Sequence, residues 1–438
     1  MADEEIMLHT NLSINEKGHL CLAGQDVCDL AEKHGTPLFL MDEERIRSNA
    51  RTYIDAMAEF MPEGSRPLLA SKSCCFKKLY SIVAEEGMGT DLVSPGELYT
   101  AAAAGFPLEN AFFHGNNKTD ADIAYAIDSG VGYFVVDNRE ELDSVNETAG
   151  KKGITQNILL RLSPGIDPHT QKKISTGKVD SKFGTAIETG QALEMCRYAL
   201  TLKNVSLKGF HCHIGSQIFE YESFADAAEI MLTFIAELWR DLGFETDILN
   251  LGGGFGVRYV ESDPFIDYRE NIKGLAGEID RLCAALSVKK PAILMEPGRS
   301  IVADSGVTLY SVGSVKTITG YKSYVSIDGG MPDNPRFALY ESDYTALIAN
   351  KADREPDLVA TIAGRCCESG DIIQEDVSLV TPERGDYLAV LVTGAYNFSM
   401  ASNYNRIPRP PVVMIKADGS DYVAVKRETY EDLIRNDI

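Results

Sequence analysis

Residues 248–256 read ILNLGGGFG, a short apolar run that ends in three consecutive glycines. An apolar run that stops at glycine is typical of a buried strand followed by a turn. Glycine also lets backbone N–H groups approach an anion such as a phosphate closely. The spacing does not match G-x-G-x-x-G, so a dinucleotide-binding fingerprint is not supported. Alone, the triplet indicates only a turn, and its meaning depends on where this run lies in the fold.

Seven further apolar runs of the same kind occur in the first two thirds of the chain. Helical patterns with glycine near the C-cap lie between them, for example KKLYSIVAEEG at 77–87. Strands that alternate with helices predict a parallel sheet, and eight such units predict a closed (β/α)8 barrel rather than an open doubly wound sheet. The eight runs are LLAS at 68–71, TDLVS at 90–94, AFFHG at 111–115, YFVVD at 133–137, ILLRL at 158–162, GFHCHIGS at 209–216, ILNLGGGFG at 248–256 and AILMEPG at 292–298.

The pattern changes after about residue 305. Runs such as TLYSVGSVKTI at 308–318 are β-rich, with turns at glycine and aspartate and no strong helical period. We therefore expect an α/β protein: a (β/α)8 TIM-like barrel plus a β-rich domain of the sandwich or barrel type. The expected domains are a barrel over 38–305 and a β domain over 1–37 and 306–438 that completes the active site. Two N-terminal runs complete this scheme: HLCLAG at 19–24 adds strands to the β domain, and PLFLMD at 37–42 leads into the barrel.

The composition excludes several classes of protein. The net charge of −23 argues against nucleic-acid binding, which needs a basic surface. No window approaches the roughly 18 apolar residues that span a bilayer, and the acidic start MADEEIMLHT has no apolar signal core. Nine cysteines without a C-x-x-C pair argue against a structural zinc site, and reduced thiols are the default. We expect a cytoplasmic protein without a membrane partner or a metal.

Polar residues follow the apolar runs at the points where the runs end. In a (β/α)8 barrel these positions meet at the carboxyl face, which carries the active site. A single polar residue often only terminates a strand, but an aligned set of lysine, histidine, glycines and glutamate favours a site. The residues expected to converge are Lys72, Asp91, His114, Arg161, His213, Gly252 to Gly254 and Glu296.

These residue types together suggest pyridoxal phosphate (PLP). Lys72, if desolvated at a strand end, is available for Schiff-base chemistry, although a lone lysine is more often a surface residue. Barrels often bind phosphate after strands seven and eight, where the glycine triplet falls. Glu296 can keep a pyridine nitrogen protonated, which favours decarboxylation over racemisation. His213 can stack on the ring and Ser216 can donate to the phosphate, although a buried structural histidine is the commoner case.

Nine longer motifs extend over nearly the whole chain. They are GTDLVSPGELYTA at 89–101, FHGNNK at 113–118, STGKVDSKFG at 175–184, FHCHIGSQI at 210–218, LNLGGGFGVRY at 249–259, EPGRS at 296–300, DGGMPDNPRFALY at 328–340, CCESGD at 366–371 and GAYNFSMASNYNRIPRP at 394–410. Through them the sequence resembles the bacterial diaminopimelate decarboxylases. These enzymes belong to the fold type III group of PLP enzymes, with ornithine and arginine decarboxylases and alanine racemase.

The resemblance implies a homodimeric carboxy-lyase with shared active sites. Its reaction is the PLP-dependent decarboxylation of meso-2,6-diaminopimelate to L-lysine and CO2, the last step of lysine biosynthesis. Lys72 would attach the cofactor, His213 would stack on its ring, and Glu296 would hold the pyridine nitrogen. The other cofactor-binding residues implied are Asp91, Arg161, Ser216, Gly253, Gly254, Gly298, Arg299 and Tyr396.

The resemblance also implies how the substrate is held. Cys367 would donate a proton to the carbanion across a dimer interface, and Glu368 would bind the distal ammonium. Arginine forks suit a remote carboxylate, whereas an enzyme acting on ornithine needs no arginine pair there. The residues implied to contact substrate are Arg299, Arg336, Tyr340, Glu368 and Tyr396, and the first three would bind the distal carboxylate.

Two neighbouring cysteines in GRCCESGD at 364–371 receive different interpretations. Consecutive residues on a strand point to opposite faces, so Cys367 and Glu368 can reach one substrate only from a turn or irregular loop. Cys366 is then expected to be a small buried packing residue.

Two alternatives stay open. One is a PLP decarboxylase of another carboxylated amine or basic amino acid, such as carboxynorspermidine, ornithine or arginine. The other is a non-catalytic relative, against which the presence of Lys72, Glu296 and Cys367 argues. The chain also departs from the family pattern, with ASKSC around the lysine and Pro335 and Phe337 flanking Arg336. These departures affect the shape of the distal pocket.

Overall fold

A computed structural model describes residues 7–166 and 182–438, which form two compact units. The barrel unit comprises Asn49–Gly256 and Phe265–Ser300. The β unit comprises the residues up to Ser48 together with Val257–Pro264 and Ile301–Ile438.

Eight parallel strands of the barrel unit close on themselves. Each strand pairs with the next one along the chain, and the eighth pairs with the first. The strands are Arg66–Ala70, Gly89–Leu92, Ala111–Phe113, Tyr133–Val136, Gln156–Ser163, Val205–His211, Ile248–Asn250 and Ala292–Met295. A ninth short strand, Thr185–Ala186, pairs with the fifth. All eight apolar runs predicted as strands overlap one, so the prediction of a (β/α)8 barrel is confirmed.

The helices between the barrel strands begin and end at residues suited to those positions. The side chain of Thr119 accepts from the N–H of Asp122, which returns the contact in a capping box, and Gly87 and Gly153 end their helices in the left-handed conformation. The helices are Glu43–Phe60, Lys77–Glu86, Pro95–Ala103, Asp120–Asp128, Arg139–Lys152, Gln191–Ala199, Glu222–Leu242 and Tyr268–Leu286, with short turns at Ser71–Ser73, Leu108–Asn110 and Arg299–Val302.

The barrel strands enclose an apolar cluster. The rings of Phe112 and Tyr133 stack with centroids 4.4 Å apart. Five side chains of the cluster are almost fully buried, namely Leu68, Phe112, Val135, Leu159 and Leu294. Burial of such side chains is the main stabilising contribution to a closed barrel, and it fixes the strand ends that carry the polar residues.

The β unit contains a mixed nine-stranded sheet and a separate three-stranded sheet. The larger sheet consists of Leu38–Asp42, Gly306–Ile318, Lys322–Ile327, Ala346–Ile348, Leu358–Ala363, Ile372–Leu379, Tyr387–Leu391, Val412–Ile415 and Asp421–Val425. The smaller one consists of Leu12–Ile14, Leu20–Leu22 and Gln25–Asp26. The helices of this unit are Val27–His34, Arg336–Tyr340 and Tyr430–Ile434, with short turns at Ala303–Ser305, Ala349–Lys351, Phe398–Met400 and Tyr404–Arg406. The β-rich region expected after residue 305 is therefore present.

One of the two N-terminal runs lies elsewhere than predicted. The run at 37–42, expected to lead into the barrel, forms the strand Leu38–Asp42 between Gly306–Ile318 and Val412–Ile415 of the larger sheet. All five of its side chains are buried, as suits a central strand. The run HLCLAG contributes the strand Leu20–Leu22 to the small sheet of the β unit, as expected. No helix in the described part of the chain is long and apolar enough to cross a membrane.

Candidate active site

The first barrel strand ends in the turn Ser71–Ser73, which carries Lys72. The carboxylate of Asp91, at the end of the second strand, accepts from the N–H of Ser71 at 2.8 Å. The hydroxyl of Ser71 donates to the carbonyl of Asp91 at 2.5 Å. These two bonds fix the turn against the neighbouring strand. The expected desolvation of Lys72 is not found, because its side chain is exposed.

Asp91 lies among charged groups of the barrel mouth. Burial and the nearby carboxylate of Glu296 raise its pKa to about 6, and the interactions with His114 and Lys72 partly offset them. Its ionisation is therefore coupled to the charges around it. Lys72 and Asp91, predicted to converge, are close enough to interact electrostatically.

Glu296 follows the eighth strand and is enclosed by three side chains from the ends of the third, sixth and seventh strands. Its Oε1 accepts from Nδ2 of Asn250 at 2.8 Å and lies 3.0 Å from Nε2 of His114, a contact not aligned as a hydrogen bond. Its Oε2 lies 3.2 Å from Nε2 of His211. All four residues are at most 5% exposed. Burial raises the pKa of Glu296, but the two imidazoles outweigh it and hold the pKa well below its usual range.

Sequence reasoning missed His211 and Asn250. His211 could have been recognised from the sequence, because it lies two residues before the predicted site residue His213. Alternate residues of a strand point to the same face. A signal for Asn250 was its place two residues before the glycine triplet. The set His114, His211 and Glu296 also has the donor types that hold a divalent cation.

The glycine triplet lies between the ends of three strands. A Cβ on Gly253 would lie 2.0 Å from the carbonyl oxygen of Glu296, and one on Gly254 (φ +115°) would lie 2.3 Å from that of Gly215. The N–H of Gly253 also donates to Nδ1 of His213 at 3.2 Å. Glycine is therefore required at these positions by close packing alone. The triplet also places the backbone N–H of Gly253 beside His213.

Two cationic groups flank this mouth. Arg299, almost buried, donates from Nη2 to Oγ of Ser216 at 3.0 Å. Arg161 lies near the end of the fifth strand, with its guanidinium carbon 4.3 Å from the ring centre of Phe183. At Gly298, a Cβ would lie 2.7 Å from that of Ala70, so glycine is required for the eighth and first strands to approach.

The barrel residues fit a pyridoxal phosphate by the chemistry of their donors and acceptors. The amine of the exposed Lys72 can form a Schiff base with an aldehyde carbon. A buried carboxylate with an acceptor position to spare suits a pyridinium N–H. Ser216 and Arg299 offer a hydroxyl and a cation for a phosphate, which helix starts and glycine turns also favour.

In the β unit, Arg336 begins a short helix and is 7% exposed. Its guanidinium carbon lies 4.4 Å from the ring centre of Tyr340 and 5.2 Å from that of Tyr396. Its Nη1 lies 4.0 Å from the sulfur of Met400. No carboxylate of the described residues lies within ion-pair distance of it, and its Nε has no hydrogen-bond partner among them. This is a buried cation between aromatic faces without an internal counter-ion.

The segment 364–371 is an irregular loop between the strands Leu358–Ala363 and Ile372–Leu379, as predicted. Cys367 and Glu368 are exposed, and the N–H of Cys367 donates to Oδ1 of Asn405 at 2.8 Å. The prediction that Cys366 is buried is wrong, since it is half-buried. The backbone N–H of Cys366 donates to the carboxylate of Asp371 at 2.7 Å. This hydrogen bond, rather than side-chain packing, fixes the position of Cys366.

The structure brings together the barrel residues predicted to converge. Residues 175–181 of the motif at 175–184 lie outside the described residues. Arg336, Tyr340 and Tyr396 lie together in the β unit, and Cys367 and Glu368 share its loop.

Comparisons with known proteins agree with this chemistry. A family model described as "Pyridoxal-dependent decarboxylase, pyridoxal binding domain" matches residues 44–303. The chain is 44% identical to a diaminopimelate decarboxylase of Halalkalibacterium halodurans over 99% of this chain and 98% of the relative. It is 43% identical to one of Bacillus subtilis, with the same shares covered. A crystal structure of diaminopimelate decarboxylase from M. jannaschii in complex with L-lysine matches with a TM-score of 0.89 and 36% identity, covering 98% of each chain.

Proposed function

The chain belongs to the diaminopimelate decarboxylases, a family of pyridoxal-dependent decarboxylases, and we propose that it converts meso-2,6-diaminopimelate to L-lysine and CO2. When bound, PLP supplies an electron sink for the electron pair that remains when the carboxylate leaves as CO2. The part of this protein is to bind, orient and protonate. The reaction is the last step of lysine biosynthesis.

Cofactor binding is proposed for the barrel residues. Lys72 would attach the cofactor through Nζ, His213 would cover a ring face, and Glu296 would accept from the pyridine nitrogen. Support comes from the burial of Glu296 and from the position of His213 beside the glycine triplet. Asp91 and Arg161 would support the pocket, and phosphate contacts are proposed for Ser216, Gly253, Gly254, Gly298, Arg299 and Tyr396.

Substrate choice is proposed to depend on Arg336. A buried guanidinium without an internal counter-ion is costly, and an anionic ligand offsets that cost. The distal carboxylate of diaminopimelate is such a ligand, and this observation carries the choice of substrate. Arg299, Tyr340 and Tyr396 would contribute further contacts, and Glu368 would bind the distal ammonium. Ornithine and arginine have no second carboxylate, and carboxynorspermidine has only the one that would leave.

Reprotonation is proposed for Cys367 in a homodimer that shares its active sites. In the single protomer the thiol of Cys367 is exposed. This exposure suits a group that acts in the active site of the partner once the dimer has assembled. A cytoplasmic location is proposed as well, since all nine cysteines are free thiols, as a reducing compartment maintains.

A product assay tests the reaction. Purified protein with added PLP is expected to release CO2 and lysine from meso-diaminopimelate and nothing from lysine, ornithine or arginine. Turnover of ornithine or arginine in the absence of any from diaminopimelate would refute the proposal.

The variant Arg336→Met tests the substrate contact. Loss of a buried charge-assisted pair is expected to lower kcat/KM for diaminopimelate by about tenfold to a hundredfold, mainly through KM. The exposed Arg384→Met is the matched control and should behave as the parent protein. An unchanged KM in Arg336→Met would remove this residue from the substrate site.

A further inference from the structure

Glu296 has acceptor capacity to spare, and the surrounding side chains determine which of its oxygens is less crowded. An ionised carboxylate offers about four acceptor positions, two on each oxygen. Oε1 has two nitrogen neighbours, Nδ2 of Asn250 at 2.8 Å and Nε2 of His114 at 3.0 Å. Oε2 has one, Nε2 of His211 at 3.2 Å. The less crowded oxygen is therefore Oε2, beside His211.

The imidazole of His211 is a donor without a permanent charge. Burial lowers its pKa to about 4, so it is neutral at physiological pH. It is 1% exposed, and its Nδ1 has no hydrogen-bond partner within the described part of the chain. A neutral ring that faces a carboxylate through Nε2 must carry its proton there, because two acceptors would repel each other.

From this geometry we propose that His211, with His114 and Asn250, forms a set of positioning residues that orient Glu296 and keep it ionised toward the pyridine nitrogen of PLP. The inference rests on the proposed function and deepens it. The set acts through Glu296 and is not proposed to touch the substrate.

A neutral imidazole at position 211 suits this task better than a lysine or arginine. A permanent cation beside Glu296 would neutralise the carboxylate and weaken its hold on a pyridinium. The neutral N–H donors of His211 and Asn250 fix the carboxylate and leave its net negative charge in place. The imidazole rings of His114 and His211 support each other edge to face, with centroids 4.8 Å apart and planes at 75°.

The variant His211→Leu removes the donor, and His211→Gln keeps one near the position of Nε2. A carboxylate with fewer donors is more basic and competes better for the shared proton. In His211→Leu the 15N chemical shift of 15N-labelled PLP bound to the protein should therefore move toward the unprotonated pyridine value. The dissociation constant for PLP should rise, and kcat for diaminopimelate should fall, each by about tenfold, with KM little changed. His211→Gln should restore all three.

Several outcomes would overturn the inference. A folded His211→Leu variant with the parent 15N shift and PLP affinity would do so, and so would a stoichiometric divalent metal in the purified holoenzyme. If His211→Leu does not fold, His114→Leu takes its place, and an unchanged 15N shift there decides against the set. Since the 15N shift needs no substrate, a protein that fails to decarboxylate diaminopimelate but shows the shift would refute the proposed function alone.

Discussion

At the scale of single residues, the thiol of Cys367 and the carboxylate of Asp333 differ in their surroundings, because the first is exposed and the second is buried. Cys367 must be reachable to act. Asp333 is 1% exposed and lies in the motif that leads to Arg336. Its carboxylate accepts from the hydroxyl of Tyr310 at 2.5 Å and from the N–H of Gly330 at 3.2 Å.

Replacement of the proposed proton donor should slow turnover without loss of the cofactor. In Cys367→Ala we expect kcat to fall by about a hundredfold or more, the usual range for a lost general acid. PLP affinity should not change. Steady-state kinetics and a PLP titration check this, with the neighbouring Cys366→Ala as the matched control. Equal kcat in the two variants would exclude the role of Cys367.

Asp333 should make stability depend on pH. Burial raises its pKa from 3.8 to about 7, against the hydrogen bond from Tyr310, which lowers it. Between those values the folded state keeps a proton that the unfolded state has lost. Stability therefore falls as pH rises, by up to about 1.4 kcal/mol per pH unit from this residue. Urea unfolding between about pH 5 and pH 6.5 should show this slope in the parent protein relative to Asp333→Asn, and the slope should level off above about pH 7. Parallel pH profiles would contradict it.

At the scale of elements, the loop 364–371 is held by side chains from outside its own turn. Asn405, with φ at +53°, accepts from the N–H of Cys367, and Asp371 accepts from those of Cys366 and Met331. The position of the thiol therefore depends on a segment more than thirty residues further along the chain.

Removal of the Asn405 side chain, which accepts from the N–H of Cys367, should affect the thiol of Cys367 selectively. Asn405→Gly tolerates the left-handed backbone and deletes the acceptor, so kcat should fall severalfold while PLP affinity stays the same. The rate of Cys367 alkylation by iodoacetamide should change as well. Asn403→Ala, in the same segment, is the control. If both variants alkylate at the parent rate, the Asn405 side chain has no such role.

Some strands and loops could be predicted from the sequence, and others could not. The eight strands were readable because each apolar run is local and ends in a polar or glycine signal. The strand Leu38–Asp42 was misassigned because its partners Gly306–Ile318 and Val412–Ile415 lie more than 260 residues away. His211 and Asn250 gained meaning only when barrel closure placed their strand ends beside Glu296. The exposure of Lys72 likewise depends on surroundings that no local pattern encodes.

At the scale of the whole molecule, the proposed shared site predicts complementation. Lys72→Ala and Cys367→Ala homodimers should each be nearly inactive. After subunit exchange about half of the dimers are mixed, and each mixed dimer has one site with both residues, so about a quarter of the parent activity should return. Activity measured before and after mixing tests this, with two Lys72→Ala preparations as the control. No recovery despite proven exchange would place both residues in one protomer's site.

The buried guanidinium of Arg336 has a consequence for evolution. An arginine between two tyrosine rings without an internal counter-ion costs the unliganded fold stability that an apolar side chain would not. Arg336→Met should therefore melt at or above the temperature of the parent protein in the absence of substrate, while it loses turnover. Differential scanning calorimetry checks this, and a clearly lower melting temperature would contradict it. Selection on the fold alone would discard this arginine, so under the proposed function its presence trades stability for activity.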